Sequence, residues 1–385
     1  MSRQDFTTIQ SVLKEYYLPA WDNQIGVTPS AFMAEIEKVT LEGGKEIYAA
    51  AEIGLSGGFG FGSEGTDNAP KAGNQQFNNF IIPIRDMYCT IELSDKAIKL
   101  SEGNSLVNAF DTEVRSAYNA AEWNVGRALF GDGTGKLATV SVSGTKGTVD
   151  SVTRLKEGLI VDIYDTDNEK ADTARIIAIN RGTKEVTFSK SVSGVSTGYL
   201  VVQNSKDVEL TGLGAIISET GSIYGKDRAT YPFLIPTVQE CGSVGVTDIE
   251  IDHALRIAKR EKNGNVNMLL CGDAAYDAYV KYLRETNQRN DNDITLEGGF
   301  KAIKHSFGST DVAVVNEGFV PDNEIWGVNT KDFAFHKTEW DFVSKDGSAF
   351  ERISGSSNLQ ALLASYGNLV CKNPGGCIKL TNCAV

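Results

Sequence analysis

The chain has 385 residues, 41% hydrophobic and 23% charged, a balance that excludes wholesale disorder, fibrous repeats and a disulfide-stapled mini-protein and leaves room for two or three domains. Thirty-seven Lys plus Arg against 50 Asp plus Glu give a formal net charge of -13, opposite in sign to a dedicated nucleic-acid binder. No apolar run approaches the roughly 18 residues that cross a bilayer, and the opening Met1-Ser2-Arg3-Gln4-Asp5 lacks the apolar stretch of a secretory signal, so the expectation is a soluble protein made in the cytosol, with no membrane partner.

In chain order, residues 5–18 carry Phe6, Ile9, Val12, Leu13, Tyr16 and Tyr17 at helical spacing, and Pro19 stops the run. Residues 46–53 and 77–88 read as two strand arms flanking a glycine-rich tract, 54–73, that has too few apolar side chains to fold on itself. Such a hairpin reaches at most about 60 Å at roughly 3.3 Å per residue. Residues 105–130 make the strongest helix, with Leu106, Phe110, Val114, Ala117, Tyr118, Ala121, Val125, Ala128 and Leu129 on one face and Gly131 placed for a left-handed C-terminal cap; it is about 39 Å long at 1.5 Å per residue. Five short β-branched runs follow, at 138–143, 158–164, 173–180, 184–189 and 198–203, with a hairpin turn at Asn180-Arg-Gly-Thr183, and predict a small inserted barrel. From Thr247 the pattern turns helical: Thr247-Asp-Ile-Glu250 reads as a capping box for a helix to about 262, ended by Gly264, and a second helix covers 273–288 after the strand 267–271. Strands at 312–315, 324–328 and 333–336 complete an α+β domain. The remainder, 339–385, reads as mostly extended, with a turn at Asn373-Pro-Gly-Gly376.

Motifs of catalysis lack their context. Gly60-Phe-Gly-Ser-Glu-Gly65 fits a dinucleotide fingerprint, but no helix follows. Gly131-Asp-Gly-Thr-Gly-Lys136 resembles a phosphate loop, but Phe130 holds the first glycine position and Leu137 that of the magnesium-binding hydroxyl. Gly54-Leu-Ser-Gly-Gly58 and Gly194-Val-Ser-Thr-Gly198 match the nucleophile elbow outside a strand-to-helix turn, and only His253, His305 and His336 can act as bases. Asp162, Asp165, Asp167 and Glu169 form an acidic cluster without the glycine and glutamate of a calcium loop. Cys371, Cys377 and Cys383 do not match a zinc spacing; with Cys89, Cys241 and Cys271 they read as mostly reduced and buried, with a disulfide across the last hairpin left open. No catalytic, cofactor-binding or metal-binding residue is assigned, and the reading is of a non-enzyme; a serine hydrolase stays as an alternative.

The order of these parts, with Gln76-Phe-Asn-Asn-Phe-Ile-Ile-Pro83, Ala120-Ala-Glu-Trp123, Leu129-Phe-Gly-Asp-Gly133, Leu213-Gly-Ala-Ile-Ile217, Ile223-Tyr-Gly-Lys-Asp-Arg228 and the closing run from Tyr366-Gly-Asn-Leu369 through Asn373-Pro-Gly-Gly376 to Leu380-Thr-Asn382, resembles the major capsid proteins of tailed bacteriophages, of the Hong Kong 97 type. The resemblance implies an α+β phage major capsid fold: N-terminal arm 1–45, extended loop 46–85, peripheral domain with a spine helix 86–136, inserted β-domain 137–206, axial domain 207–338 and return to the peripheral domain 339–385. It implies a virion subunit, assembled in the bacterial cytoplasm, that forms pentamers and hexamers of an icosahedral shell around double-stranded DNA. A separate scaffolding protein, a portal and decoration proteins would be partners, with the DNA touched weakly and non-specifically. Phe6, Tyr16, Phe59, Phe61, Phe77 and Phe80, aromatic residues of the arm and loop, are the candidate intersubunit contacts. An encapsulin-like nanocompartment is the alternative of the same architecture.

Overall fold

The computed structural model describes residues 30–52, 58–59, 61, 77–93, 104–242, 245–286, 293–296, 300–308, 310–343, 351–352 and 358–384. The helix expected at 5–18 lies outside them, as does most of the glycine tract. The chain enters through a short helix α1 (Ala31–Glu35), capped by the Ser30 side chain, and strand β1 (Glu37–Thr40). Then come β2 (Glu46–Glu52), β3 (Phe77–Pro83) and β4 (Arg85–Leu93), and the long helix α2 (Asn104–Leu129). The described part of α2 buries Tyr118, Ala121, Ala128 and Leu129, the stripe its periodicity predicts.

Gly131 does not take the left-handed cap expected of it. The helix tightens instead, Phe130 N–H donating to Arg127 O and Gly131 N–H to Ala128 O, and the left-handed residues are Gly133 and Gly135. The space that a departing chain would use is occupied: a Cβ on Gly212 would stand 2.5 Å from the carbonyl oxygens of Ala128 and Leu129, so another segment closes the helix end.

Strands β5 (Lys136–Ser143), β6 (Lys146–Val149), β7 (Ile160–Asp165), β8 (Lys170–Asn180), β9 (Glu185–Phe188) and β10 (Thr197–Val202) close a barrel in the order β10-β5-β6-β9-β8-β7, with a core of its own that includes Val140, Val161, Ile163, Ile176, Phe188 and Leu200. The expected hairpin turn is present, Asn180 Oδ1 accepting from Gly182 and Thr183 N–H. Strand β6 carries no clear sequence signal because it is only four residues long, its Lys and Gly offsetting the strand preference of Thr and Val. Its glycine faces the barrel interior, where a Cβ would meet Val140 at 2.7 Å.

The chain then passes helix α3 (Leu213–Ile216), strands β11 (Ser222–Ile223) and β12 (Lys226–Asp227), and enters a second sheet through β13 (Thr237–Glu240). Helix α4 (Asp248–Lys262), β14 (Met268–Cys271), helix α5 (Asp273–Glu285), β15 (Asp293–Thr295), β16 (Lys301–Phe307), β17 (Thr310–Asn316) and β18 (Ile325–Val328) follow. Thr247 makes no side-chain cap bond; Glu250 is taken by Gln239 Nε2 at 2.9 Å. The left-handed residue after α4 is Asn263, not Gly264. Carboxylates at the start of α4 and Lys259, Arg260 and Lys262 in its last turn complement the helix dipole.

Strands β19 (Phe333–Lys337), β20 (Asp341–Phe342), β21 (Glu351–Arg352) and β22 (Leu359–Cys371) return to the first sheet, and β23 (Ile378–Thr381) ends in the second. Among the described residues the first sheet has six strands built on the long β22: β4 runs along one edge, β19, β20 and β21 along the other, and β1 adds to β19. The second has seven, in the order β13-β23-β18-β14-β17-β16-β15. The turn at Asn373–Gly376 thus joins two sheets and does not close a hairpin, although it still leaves Cys371 beside Cys377. Helices α4 and α5 cover one face of the second sheet through Ile251, Leu255, Tyr279 and Leu283. Its other face shares one core with Phe32, Phe130, Phe333 and Leu369, so the two sheets are welded through the end of α2.

Candidate self-assembly surface

Among the described residues strands β2 and β3 pair only with each other, from Glu46↔Pro83 to Glu52↔Phe77. Alternation splits their side chains between two faces. Phe80 and Ile82, with Ile47 and Ala49 half-buried beside them, pack into the main core. Opposite them, Tyr48 is 67% and Ile81 41% exposed. A two-stranded ribbon is marginal in water by itself, and here only its root is held. The Phe80 ring packs against Tyr224 at a 60° tilt with centroids 6.2 Å apart, and Ile81 N–H donates to Tyr224 O. Tyr224, in the left-handed region at φ 50°, donates its hydroxyl to Leu369 O and accepts from Cys371 N–H; complete burial pushes its phenol far up. Buried Asn368 donates to Pro83 O at 2.8 Å and accepts from Thr211 N–H at 2.9 Å. Since β3 runs into β4 through Ile84, these bonds fix the direction in which the ribbon leaves the body.

At the described points of the tip, Phe59 is 79% and Phe61 95% exposed, their rings edge to face at 5.2 Å. Of the other predicted contacts, Phe6 and Tyr16 lie outside the described residues, and Phe77 has its backbone in β3 with its side chain outside them. Phe80 must be corrected: at 2% exposure it is spent inside its own subunit, because the strand alternation turns it inward.

A second patch has no signal in the sequence. The six-stranded sheet packs one face on α2, through Ile91, Ala361 and Leu363 against Tyr118 and Ala121. The other carries Tyr88 and Tyr366, 56% and 38% exposed and edge to face at 6.5 Å. Alternation along β4 and β22 brings them together, with Ala364↔Tyr88 pairing strands about 280 residues apart in the chain.

The barrel is braced on the end of α2. Arg127 and Glu209 form a buried bidentate pair at 3.1 and 2.6 Å, Arg154 donates to Phe130 O at 2.9 Å, and the Lys156 ammonium lies 5.6 Å from the centre of the Trp123 ring. A cation, Arg154, and the Ala215 N–H at the start of α3, which donates to Gly131 O, thus meet the carbonyl end of α2, where both are favourable.

The chemical motifs resolve into structure. Asp132 Oδ1 accepts from Thr134 N–H and hydroxyl in the turn after α2. Asp162 is buried apart from its acidic neighbours and accepts from Thr173, Asn204 N–H and Lys170. Asp165 Oδ1 accepts from the N–H groups of Asp167 and Glu169. Ser196 sits in the barrel, whereas His253, His305 and His336 belong to α4, β16 and β19; Ser56 and most of the stretch from Gly60 to Gly65 lie outside the described residues. Among the described residues no group of three or more His, Cys, Asp or Glu can hold a metal ion, and no helix is long and apolar enough to cross a membrane.

No protein-family profile matches the chain, and no curated protein matches it. Solved structures do. A chain of the cyanophage A-1(L) capsid asymmetric unit is similar over 93% of this chain and 94% of its own, with a TM-score of 0.57 at 13% identity. The chain has the Hong Kong 97-type capsid fold. The α+β architecture with a small closed barrel is the one expected of that fold. Two further similar structures are the holo-SrpI encapsulin complex of Synechococcus elongatus PCC 7942, with a TM-score of 0.49 at 10% identity over 93% of this chain and 89% of that one, and the capsid of a native GTA particle, with 0.48 at 12% over 93% and 92%.

Proposed function

We propose that this protein is a major capsid subunit of a tailed bacteriophage, which assembles with copies of itself into pentamers and hexamers of an icosahedral shell around double-stranded DNA, and acts as a structural protein and not as an enzyme. The observation that carries the reading is the extended loop: its root is bolted to the subunit by Phe80, Tyr224 and Asn368, while Tyr48, Ile81, Phe59 and Phe61 face away from their own body. Apolar groups held out on a fixed lever lower the free energy when another copy covers them. A contact of this kind between different patches, repeated by rotation, closes rings, and loops reaching between rings close a shell. Each contact is allowed to be weak, since a subunit held by several neighbours gains avidity. The exposed Tyr88–Tyr366 face of the peripheral sheet is the seat we assign to a neighbour's loop.

Phe59, Phe61 and Phe77 are the contacts proposed on the loop, with Phe6 and Tyr16 on the arm. A separate scaffolding protein, a portal and decoration proteins are the further partners, and assembly in the bacterial cytoplasm precedes residence in the virion. The net charge of -13 suits a container that holds DNA without binding it tightly. Electron microscopy of the purified protein, alone and co-expressed with the neighbouring genes of its locus, tests the reading: closed shells of uniform size that protect DNA from nuclease are expected. Shells filled with a cargo protein and no DNA would favour the nanocompartment, and a protein that stays monomeric under all these conditions would end both.

A further inference from the structure

The buried thiols of Cys241 and Cys383 stand 3.6 Å apart, sulfur to sulfur, and share a hydrogen bond. They come from residues 142 positions apart and meet because β13 and β23 run parallel with Glu240 opposite Thr381. Their backbones are fixed on three sides: Cys241 N–H donates to Thr381 O, Cys383 N–H to Asn323 O, and Val246 N–H to Cys383 O. We propose that Cys241 and Cys383 are a modification site, a dithiol that peroxide-class oxidants convert to a disulfide locking the edge strand β13 onto β23.

The chemistry balances with one peroxide. The Cys241 sulfur attacks a peroxide oxygen, the O–O bond breaks, and the sulfur becomes a sulfenic acid while the departing hydroxide takes the thiol proton and leaves as water. The Cys383 sulfur then displaces the sulfenic hydroxyl, which leaves with the Cys383 proton as a second water. Two thiols lose two electrons and one peroxide gains them. The pair is polarised for this order of events: the S–H of Cys383 holds the Cys241 thiol below the usual range, whereas that hydrogen bond, with burial, pushes Cys383 up. Cys371 lies beside Cys377, but burial pushes its thiol well up, as it does for Cys271. The product ties β13, at the sheet's edge among the described residues, to its partner β23 and constrains a long segment of the unfolded chain.

The test is a peptide map of the reduced, full-length protein after hydrogen peroxide, with remaining thiols alkylated and digestion without reductant. One linked pair joining Cys241 to Cys383, two hydrogens lighter than the free peptides, is expected, together with a melting temperature raised by several degrees and returned by dithiothreitol. Cys383→Ser should lose both signals; should it fail to fold, the wild-type map decides by itself. Six alkylatable thiols after peroxide, a link between Cys371 and Cys377, or Cys241 carried to sulfinic acid without a link would each overturn the proposal. None of these readouts requires shell assembly.

Discussion

Glu317 shows what a single residue contributes at the junction of arm and body. It is buried, and its carboxylate accepts from the Ser30 hydroxyl at 2.8 Å, the same hydroxyl that caps α1. Desolvation outweighs the hydrogen bonds from Ser30 and the Phe319 backbone and raises its pKa to about 7. The folded chain therefore keeps a proton that the unfolded chain releases near pH 4.5. That advantage is full below the unfolded value and is lost as pH rises through about 7. Free subunits should lose about 3 kcal/mol of unfolding free energy between pH 5 and 8, and Glu317→Gln should flatten that slope. Denaturant titrations at both pH values measure it, and an equal slope in the variant would refute the assignment. Arg228 works in the opposite way: fully buried, it donates to the carbonyls of Ala215, Ile216, Thr220 and Leu234, satisfying the C-terminal end of α3 with a cation.

At the scale of the element, the extended loop divides its labour along its length. The root contributes to the stability of its own subunit, since Phe80 and Ile82 belong to the main core. At the described points of the tip, Phe59 and Phe61 face solvent and contribute little to it. Two substitutions at the tip, Phe59→Ser with Phe61→Ser, should leave the unfolding free energy within about 0.5 kcal/mol of the parent while assembly is lost, as should deletion of residues 57–73. By contrast, Phe80→Ala should cost about 3–5 kcal/mol. Sedimentation of each variant beside its denaturation curve separates the two effects. Normal shells from the deletion would show that the loop is not a clamp between subunits.

For the whole molecule, the barrel is an insertion with a self-contained core. Its incoming and outgoing segments lie side by side, Asp207 N–H donating to Thr134 O at 2.9 Å, and Gly135 fits there only because a Cβ would stand 2.5 Å from Ser205 O. Replacing residues 136–206 with a short glycine linker should give a soluble body that retains cooperative unfolding, and residues 134–207 alone should fold as a barrel. Circular dichroism melts of both pieces check this. Aggregation of the body would mean that the Arg154 and Lys156 contacts to the end of α2 hold it together. Strand β23 is the opposite case. It lies inside the second sheet between β13 and β18, so that sheet cannot close until the last strand is in place.

The sequence by itself determined what is local. The periodicity of α2, the alternation of the barrel strands, the turn at Asn180 and the glycine tract between two strand arms are written in residues a few positions apart, where backbone preference and side-chain period act directly. Their order along the chain carried the resemblance to a capsid fold. Only the tertiary structure decided what depends on residues far apart: that Phe80 turns inward while Phe59 and Phe61 do not, that Tyr88 meets Tyr366, that Cys383 faces Cys241, and that the final turn bridges two sheets. Burial and pairing across hundreds of residues are set by which surfaces exclude water together, and no local pattern encodes that choice.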